Sequence, residues 1–580
     1  MDNYVGSAAC CRCHPDISAD YAAHPMANSL KPITADFANE LPTGHVGNRH
    51  RFLSSIAKEG ALVHAETMID SNGDTIWHQP FTMDYVVGSG QRAYAFLYTD
   101  HDMLFQSPLN WYATTEDWSL SPGYVTNDPR RFRRRATDEC LACHAGRIHA
   151  MGRNLNRYDS PIFQEAAIGC ENCHGPGADH IRYHDRTLTD RTSNSRTDPI
   201  VNPAALPAKK RDAVCYQCHL QATARILRPG RSHLDFRPGM HLSEIWAPVE
   251  ATENDGKAVR HVQQMRSSRC YEASRDRLTC ITCHDPHRRP AENNRIAFYR
   301  QRCYGCHDSV SCKAPSIDRS SQQDSCIACH MPSAGSRNVA HVSQTDHRIS
   351  RRPTSLAEPD RDKKNSDDVV VHYFDQINLQ LPQWEVDRGL GIALWSHADV
   401  AGQQAPDVIA QLLEPTLSHA PHDHFASSLL AAFYRQRGQL QKSQQYFRIA
   451  ESLPAGQESA WEGLLVTFYL QQDWTQALSY ADRSLELLPG EARFHALRAD
   501  ILLNLERPEE AIAAGYRSIE LDPTVLPVRQ WLEMALRNAG RTEDADVQVD
   551  VIRRMQNTDA AGDGPIRQDA AAGAAKESTE

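Results

Sequence analysis

Seven times in this chain, two cysteines spaced by two residues are followed at once by histidine. Numbered in chain order, the motifs are Cys10, Cys13, His14; Cys140, Cys143, His144; Cys170, Cys173, His174; Cys215, Cys218, His219; Cys280, Cys283, His284; Cys303, Cys306, His307; and Cys326, Cys329, His330. With 17 Cys and 28 His in 580 residues, random placement gives roughly 0.02 such motifs, so the pattern reflects chemistry. CxxCH is the attachment signal of c-type haem: each thiol adds to one vinyl group of a porphyrin, and the histidine becomes the proximal ligand of its iron. The chain is therefore expected to carry seven covalent c-type haems, with the fourteen cysteines as thioether anchors and the seven histidines as proximal iron ligands. A structural zinc site also uses CxxC pairs, but it does not require histidine directly after every second cysteine.

Each iron has a second face. Histidine there gives a six-coordinate centre that only passes electrons, whereas an open face binds a substrate. The best-placed histidines outside the motifs are His24, His180, His184, His287, His341 and His347, each close in sequence to an anchor; His149, His233, His241 and His261 are weaker candidates. For any of them a hydrogen-bonded surface or core histidine is the plain alternative.

Three cysteines remain. Cys11 is a spare thiol inside motif 1, and Cys312 carries no further signal. Cys270, ten residues ahead of motif 5, is the one candidate catalytic residue: it ligates an iron, takes part in chemistry, or packs as a small apolar group.

Between motifs 1 and 2, "GALVHAETMID", "SNGD", "DYVVGSGQRAYAFLY", "TDHD" and "MLFQSPLNWY" alternate apolar and polar residues between turn signals. This predicts a β-rich insertion over 31–128 within a haem domain spanning 1–350. The basic run Arg130–Arg135 precedes motif 2, and two readings suit it: pairing with haem propionates, or surface exposure. Residues 351–383 read as a charged linker. From 384 to 555 the text is helical and repeats: Ala477, Ala511 and Ala545 recur at intervals of 34, and Trp461, Leu464, Leu465, Phe468 and Pro489 occupy tetratricopeptide positions. Such hairpins stack into a superhelix that docks a partner or braces the rest of the chain. Residues 556–580 are small and polar, a disordered tail by composition. The expected fold class is mainly α: a multihaem cytochrome c domain with few regular elements and a small β-rich insertion, followed by an α-helical repeat array. No apolar run is long enough to span a membrane, and a net charge of −11 disfavours nucleic acid as a partner.

The stretches "YVGSAACCRCHPD", "DYVVGSGQRAYAFLY", "WSLSPGY", "IGCENCHGPGADH", "LTCITCHDPH" and "TDHRI" together resemble the multihaem cytochromes related to the tetrahaem cytochrome of ammonia oxidisers and, more distantly, to hydroxylamine oxidoreductase and cytochrome c nitrite reductase. The resemblance covers residues 4–350. It implies closely packed bis-histidine haems, with distal roles for His24, His180, His287, His341 and His347. The chain departs from the enzymatic relatives: no CxxCK motif is present, and no cross-linking tyrosine is identifiable. Two functions are carried forward, an electron carrier whose repeats dock a redox partner protein, and an oxidoreductase acting on a small nitrogen or sulfur compound at one open or Cys270-ligated haem. Because c-type haem is attached outside the cytoplasm, a periplasmic or otherwise exported protein is expected, its export segment absent from this chain.

Overall fold

The computed structural model describes residues 3–151, 156–189, 197–220, 222, 224–251, 261–308, 312–335, 343–351, 371–374, 381–400 and 402–560. His341 and residues 561–580 of the expected tail lie outside them. About half of the chain is helical, and several small antiparallel sheets make up the other regular structure.

The motif-bearing segments fold as short helices joined by loops: Ser7–Cys11, Asp138–His144, Cys170–His174, Ala208–His219, Cys280–Cys283, Arg295–Tyr304 and Cys326–His330. Several of them bury no side chain at all. Small apolar clusters form around Leu141 and Tyr216, and the largest core lies outside the motif segments.

Residues 30–135 form two antiparallel sheets. One has four strands in the order Gly44–Gly47, Arg51–Lys58, Ala61–Ile69, Thr75–Met83, and the turn "SNGD" joins its last two. The other runs Leu30–Pro32, Tyr85–Val87, Ala93–Asp100, Met103–Tyr112, Arg134–Arg135, with Asp117–Leu120 also paired to Met103–Tyr112. "TDHD" closes its hairpin, with Asp100 opposite Met103. Leu62, Met83, Val86, Phe96, Leu109 and Trp118 fill the space between the sheets. Each large side chain buried there contributes roughly 1.5–3 kcal/mol.

Four helical hairpins follow: His424–Gln436 with Leu440–Glu451, Pro454–Leu470 with Trp474–Leu487, Ala492–Asn504 with Pro508–Leu521, and Leu526–Asn538 with Thr542–Ala560. Ala477, Ala511 and Ala545 are each 0% exposed, which explains the 34-residue interval: only a small residue fits where successive helices cross. At Gly463 a Cβ would meet the Phe447 ring at 2.1 Å. The last helix runs to Ala560, five residues into the segment expected to be tail.

Within the expected linker, Val371–Tyr373 pairs with Trp246–Ala251, which pairs in turn with Ala224–Leu227. The Tyr373 hydroxyl donates to the Val386 carbonyl at 2.8 Å, tying this sheet to the Gln383–Val400 helix ahead of the hairpins.

The array rests on the β-rich insertion, and the arginine run forms the seam. Arg131, 6% exposed, donates from Nε to Glu66 at 2.6 Å, from Nη1 to Asp522 at 2.9 Å and from Nη2 to Gln79 at 2.6 Å. Arg135 pairs with Glu458 of the array, and Arg133 with Asp100. Phe132 stacks on Phe81 at 4.2 Å. Farther along, Met555 is buried against Met68 and Trp77, and Arg554 donates to Asp70 at 2.9 Å. Arg130 is exposed, as one reading of the run has it, whereas Arg131 is buried and the guanidiniums bond the protein's own carboxylates and carbonyls. Among the described residues, no helix is long and apolar enough to cross a membrane.

Candidate haem-binding site

A single helical turn gives each motif its geometry. Residues three apart in a helix share a face, so both thiols point the same way and the histidine follows directly beneath them. The turn is closed by the histidine N–H bonding to the first cysteine carbonyl, at 3.0 Å in motif 1, 3.0 Å in motif 5 and 2.9 Å in motif 6. All seventeen thiols are free. Among the described residues, the one cluster of three ligand groups within metal-binding reach is His180, His184 and Asp198, so no set of cysteines closes a zinc tetrahedron.

Four motif histidines face a second imidazole. His14 faces His180 with ring centres 6.3 Å apart and planes 16° from parallel; His174 faces His287 at 6.0 Å and 7°; His284 faces His347 at 6.3 Å and 27°; His219 stands 5.9 Å from His261. Imidazole nitrogens bond metals at about 2.0–2.1 Å, so two rings gripping one metal from opposite sides hold their centres about 6 Å apart. All four distances fit that requirement. His261 and His347 also approach each other at 4.6 Å, placing the motif 4 and motif 5 pairs side by side.

Hydrogen bonds fix the tautomers. A carbonyl or carboxylate oxygen only accepts, so a ring nitrogen bonded to it carries the proton and leaves the other nitrogen's lone pair for a metal. His174 donates from Nδ1 to Val201 at 2.8 Å, His180 to Asp198 at 2.8 Å, His347 to Thr345 at 2.8 Å and His330 to Ser350 at 2.7 Å. His24 is arranged the other way: its Nδ1 accepts from the Met26 N–H at 3.2 Å, which places its proton on Nε2. Its ring stacks on Tyr21 and faces no motif histidine among the described residues. His233 likewise accepts, from Trp246 Nε1 at 3.1 Å.

Burial lowers the pKa of His144, His174, His219 and His347, and pushes His284 down to about 4 and His261 to about 3, the latter two helped by neighbouring imidazoles. At all six, burial disfavours the charged form, and the neutral form is the one that binds a metal. His144, His219 and His284 follow anchor cysteines in the fold and are themselves exposed, so a flat group held by the two thiols can reach each ring. The residues fit the group that the motifs imply.

Contacts between motifs define an order. Motifs 1 and 3 meet through Cys170 N–H to Ser7 Oγ at 2.9 Å and through the Cys10 and Cys170 thiols, which hydrogen-bond. Gln217 of motif 4 donates to Asn172 of motif 3 at 3.4 Å. Motif 2 sits against motif 4, with Cys143 Sγ 3.5 Å from the Gln217 carbonyl. The Cys280 N–H reaches Asp212, on the motif 4 helix, at 3.3 Å. The Arg295–Tyr304 helix, which carries Cys303, packs on both the Cys280–Cys283 and Cys326–His330 helices. The resulting sequence is 1, 3, 4, 5, 6, 7, with motif 2 beside motif 4.

Cys270 lies near Cys306, and burial together with that neighbour raises its pKa, so the thiol stays protonated. It stands among anchor cysteines and is not paired with a motif histidine. His261, a weaker candidate from the sequence, is brought to His219 only by the fold, and nothing local marks that approach.

Residues 124–175 match the family described as cytochrome c554 and c-prime, and residues 273–312 match the doubled CXXCH motif. The chain is 24% identical over 217 residues to the multiheme cytochrome MtrA of Shewanella baltica (strain OS185), a match that takes in 34% of this chain and 62% of that protein. It is 33% identical over 103 residues to the peroxisomal targeting signal receptor of Eremothecium gossypii, 18% of each chain. Among solved structures, MamA 41-end from Desulfovibrio magneticus RS-1 aligns at 16% identity and a TM-score of 0.28, over 30% of this chain and 96% of that one. Taken with the motifs and their geometry, the cytochrome matches give this chain the features of a multihaem c-type cytochrome that binds c-type haem.

Proposed function

We propose that the protein is an exported, periplasmic electron carrier with seven covalent c-type haems arranged in the order 1, 3, 4, 5, 6, 7, with the second alongside the fourth, and with kinship to the hydroxylamine oxidoreductase group. Haem bound at the motifs supplies one-electron redox chemistry. The protein would anchor each group through two thiols, orient the imidazoles and set the spacing between neighbours. The observation that carries this reading is the set of four facing histidine pairs at 5.9–6.3 Å. His180, His287, His347 and His261 are their distal members. The repeat array braces the haem region through its seam with the insertion and docks a redox protein on its first helices, where Phe425, Leu470 and Met534 are 47%, 53% and 49% exposed.

A second reading has one favouring observation. His144, His307 and His330 face no second imidazole among the described residues, so motifs 2, 6 and 7 are where a centre with an open face, and an oxidoreductase acting on a small molecule, would be found. EPR of the oxidised, haem-loaded protein decides between the two. Low-spin bis-histidine signals alone make it a carrier; a stoichiometric high-spin signal moves the function to one of motifs 2, 6 and 7.

A further inference from the structure

His180 differs from the other tautomer-fixed histidines in what holds it. His174, His330 and His347 donate Nδ1–H to neutral backbone carbonyls, whereas His180 donates to a carboxylate, Asp198 Oδ1, at 2.8 Å. The same oxygen accepts from Ile200 N–H at 3.1 Å, and Oδ2 bonds His184 Nε2 at 3.1 Å. A carboxylate behind an imidazole draws the Nδ1 proton toward itself and makes Nε2 a more basic, more electron-donating ligand. Such a ligand favours the ferric over the ferrous state and lowers the reduction potential, second-shell hydrogen bonding being one of the protein's levers on an iron centre. Glu165 and Glu171 add negative charge within electrostatic reach of Cys10.

Motif 5, farther along the motif order, lies in surroundings of the opposite charge. Between residues 261 and 302, arginines outnumber acids nine to four. Arg289 lies within electrostatic reach of His284, and Arg302 within reach of Cys283. Positive charge there favours the ferrous state. Propionates add the same charge at every motif, so in number they do not alter the difference between the ends.

We propose that Asp198 is a positioning residue that makes motif 1 the low-potential end of the chain, so that electrons enter at motif 1 and run toward motif 5. This rests on the reading of His14 and His180 as one axial pair. Each transfer is a one-electron step: an external one-electron reductant is oxidised as ferric iron at motif 1 becomes ferrous, and no atom or proton moves with the electron.

EPR-monitored redox titration of the full haem-loaded protein tests the proposal. His180→Gln identifies the low-spin signal belonging to motif 1, and His347→Gln that of motif 5. In Asp198→Asn the motif 1 signal is expected to persist with its midpoint raised by the equivalent of a tenfold change in ferric preference, 59 mV for one electron, while the other midpoints hold. His184→Ala, which frees Oδ2 and leaves Asp198 a stronger acceptor, is expected to lower the same midpoint. A role confined to folding does not produce opposite shifts from the two variants. A motif 1 midpoint unchanged in both, or lying above that of motif 5 in the unsubstituted protein, overturns the proposal with the axial pair intact. Persistence of every low-spin signal in His180→Gln overturns the axial pair itself, a separate failure.

Discussion

Replacing Arg131 with methionine tests the seam between array and insertion. The substitution keeps the length of the side chain and removes three hydrogen bonds, to Glu66, Asp522 and Gln79. Removing one partner of a buried ion pair costs about 3–5 kcal/mol, because the charge left behind has lost its counterion. Here Glu66 keeps Arg51 at 2.7 Å and Asp522 retains 20% side-chain exposure, so the low end applies, about 3 kcal/mol or a hundredfold in the folding equilibrium. Arg135→Met is the control. Its pair with Glu458 is about one-fifth exposed on both sides and belongs nearer the cost of a surface pair, 1 kcal/mol or less. Urea unfolding followed by far-ultraviolet circular dichroism measures both, and the visible haem spectrum and midpoints are read in parallel. Equal, small costs for the two variants would refute the argument. A shift of haem midpoints in Arg131→Met alone would show that the run serves the cofactors after all.

Three further outcomes are expected. His64 is fully buried in the insertion and burial pushes its pKa down to about 3, against an unfolded value of 6.5. As pH falls below 6.5 the unfolded chain takes up a proton that the folded chain refuses, so this residue withdraws about 2 kcal/mol of stability by pH 5; urea titrations at pH 7 and pH 5 should show that difference shrinking in His64→Gln. His261→Gln should convert one low-spin haem to high spin, measured by EPR, and an unaltered spectrum would remove His261 from the ligand set. Cys270→Ser should leave the visible and EPR spectra unchanged, since the thiol stands beside anchor cysteines; loss of a low-spin signal would make it a ligand.

What the sequence disclosed follows from the range of each interaction. Thioether attachment needs residues within one helical turn, so the anchors are written locally. The hairpins at "SNGD" and "TDHD" and the 34-residue helical interval are local too, and Ala477, Ala511 and Ala545 sit at the crossings that their spacing implies. Pairing across the fold is not local. His180 is close in sequence to motif 3 and meets motif 1; His287 follows motif 5 and meets motif 3. Proximity along the chain therefore does not name the motif that each histidine meets, nor does it show that His24 spends its Nδ1 lone pair on the Met26 N–H. The seam at Arg131 is hidden for the same reason: Arg131 and Asp522 are 391 residues apart, and no composition argument connects them. Val371–Tyr373 lies beside a charged stretch that hides a three-residue strand.

The most direct measurement is the intact mass of the denatured, reduced protein after export with the haem-maturation machinery, since thioether-bound haem survives both treatments. The account predicts a mass equal to the mature chain plus seven haems, falling to six when Cys303 and Cys306 are both replaced by serine. A chain mass with no added haem, or with a count that stays the same in that variant, would contradict it.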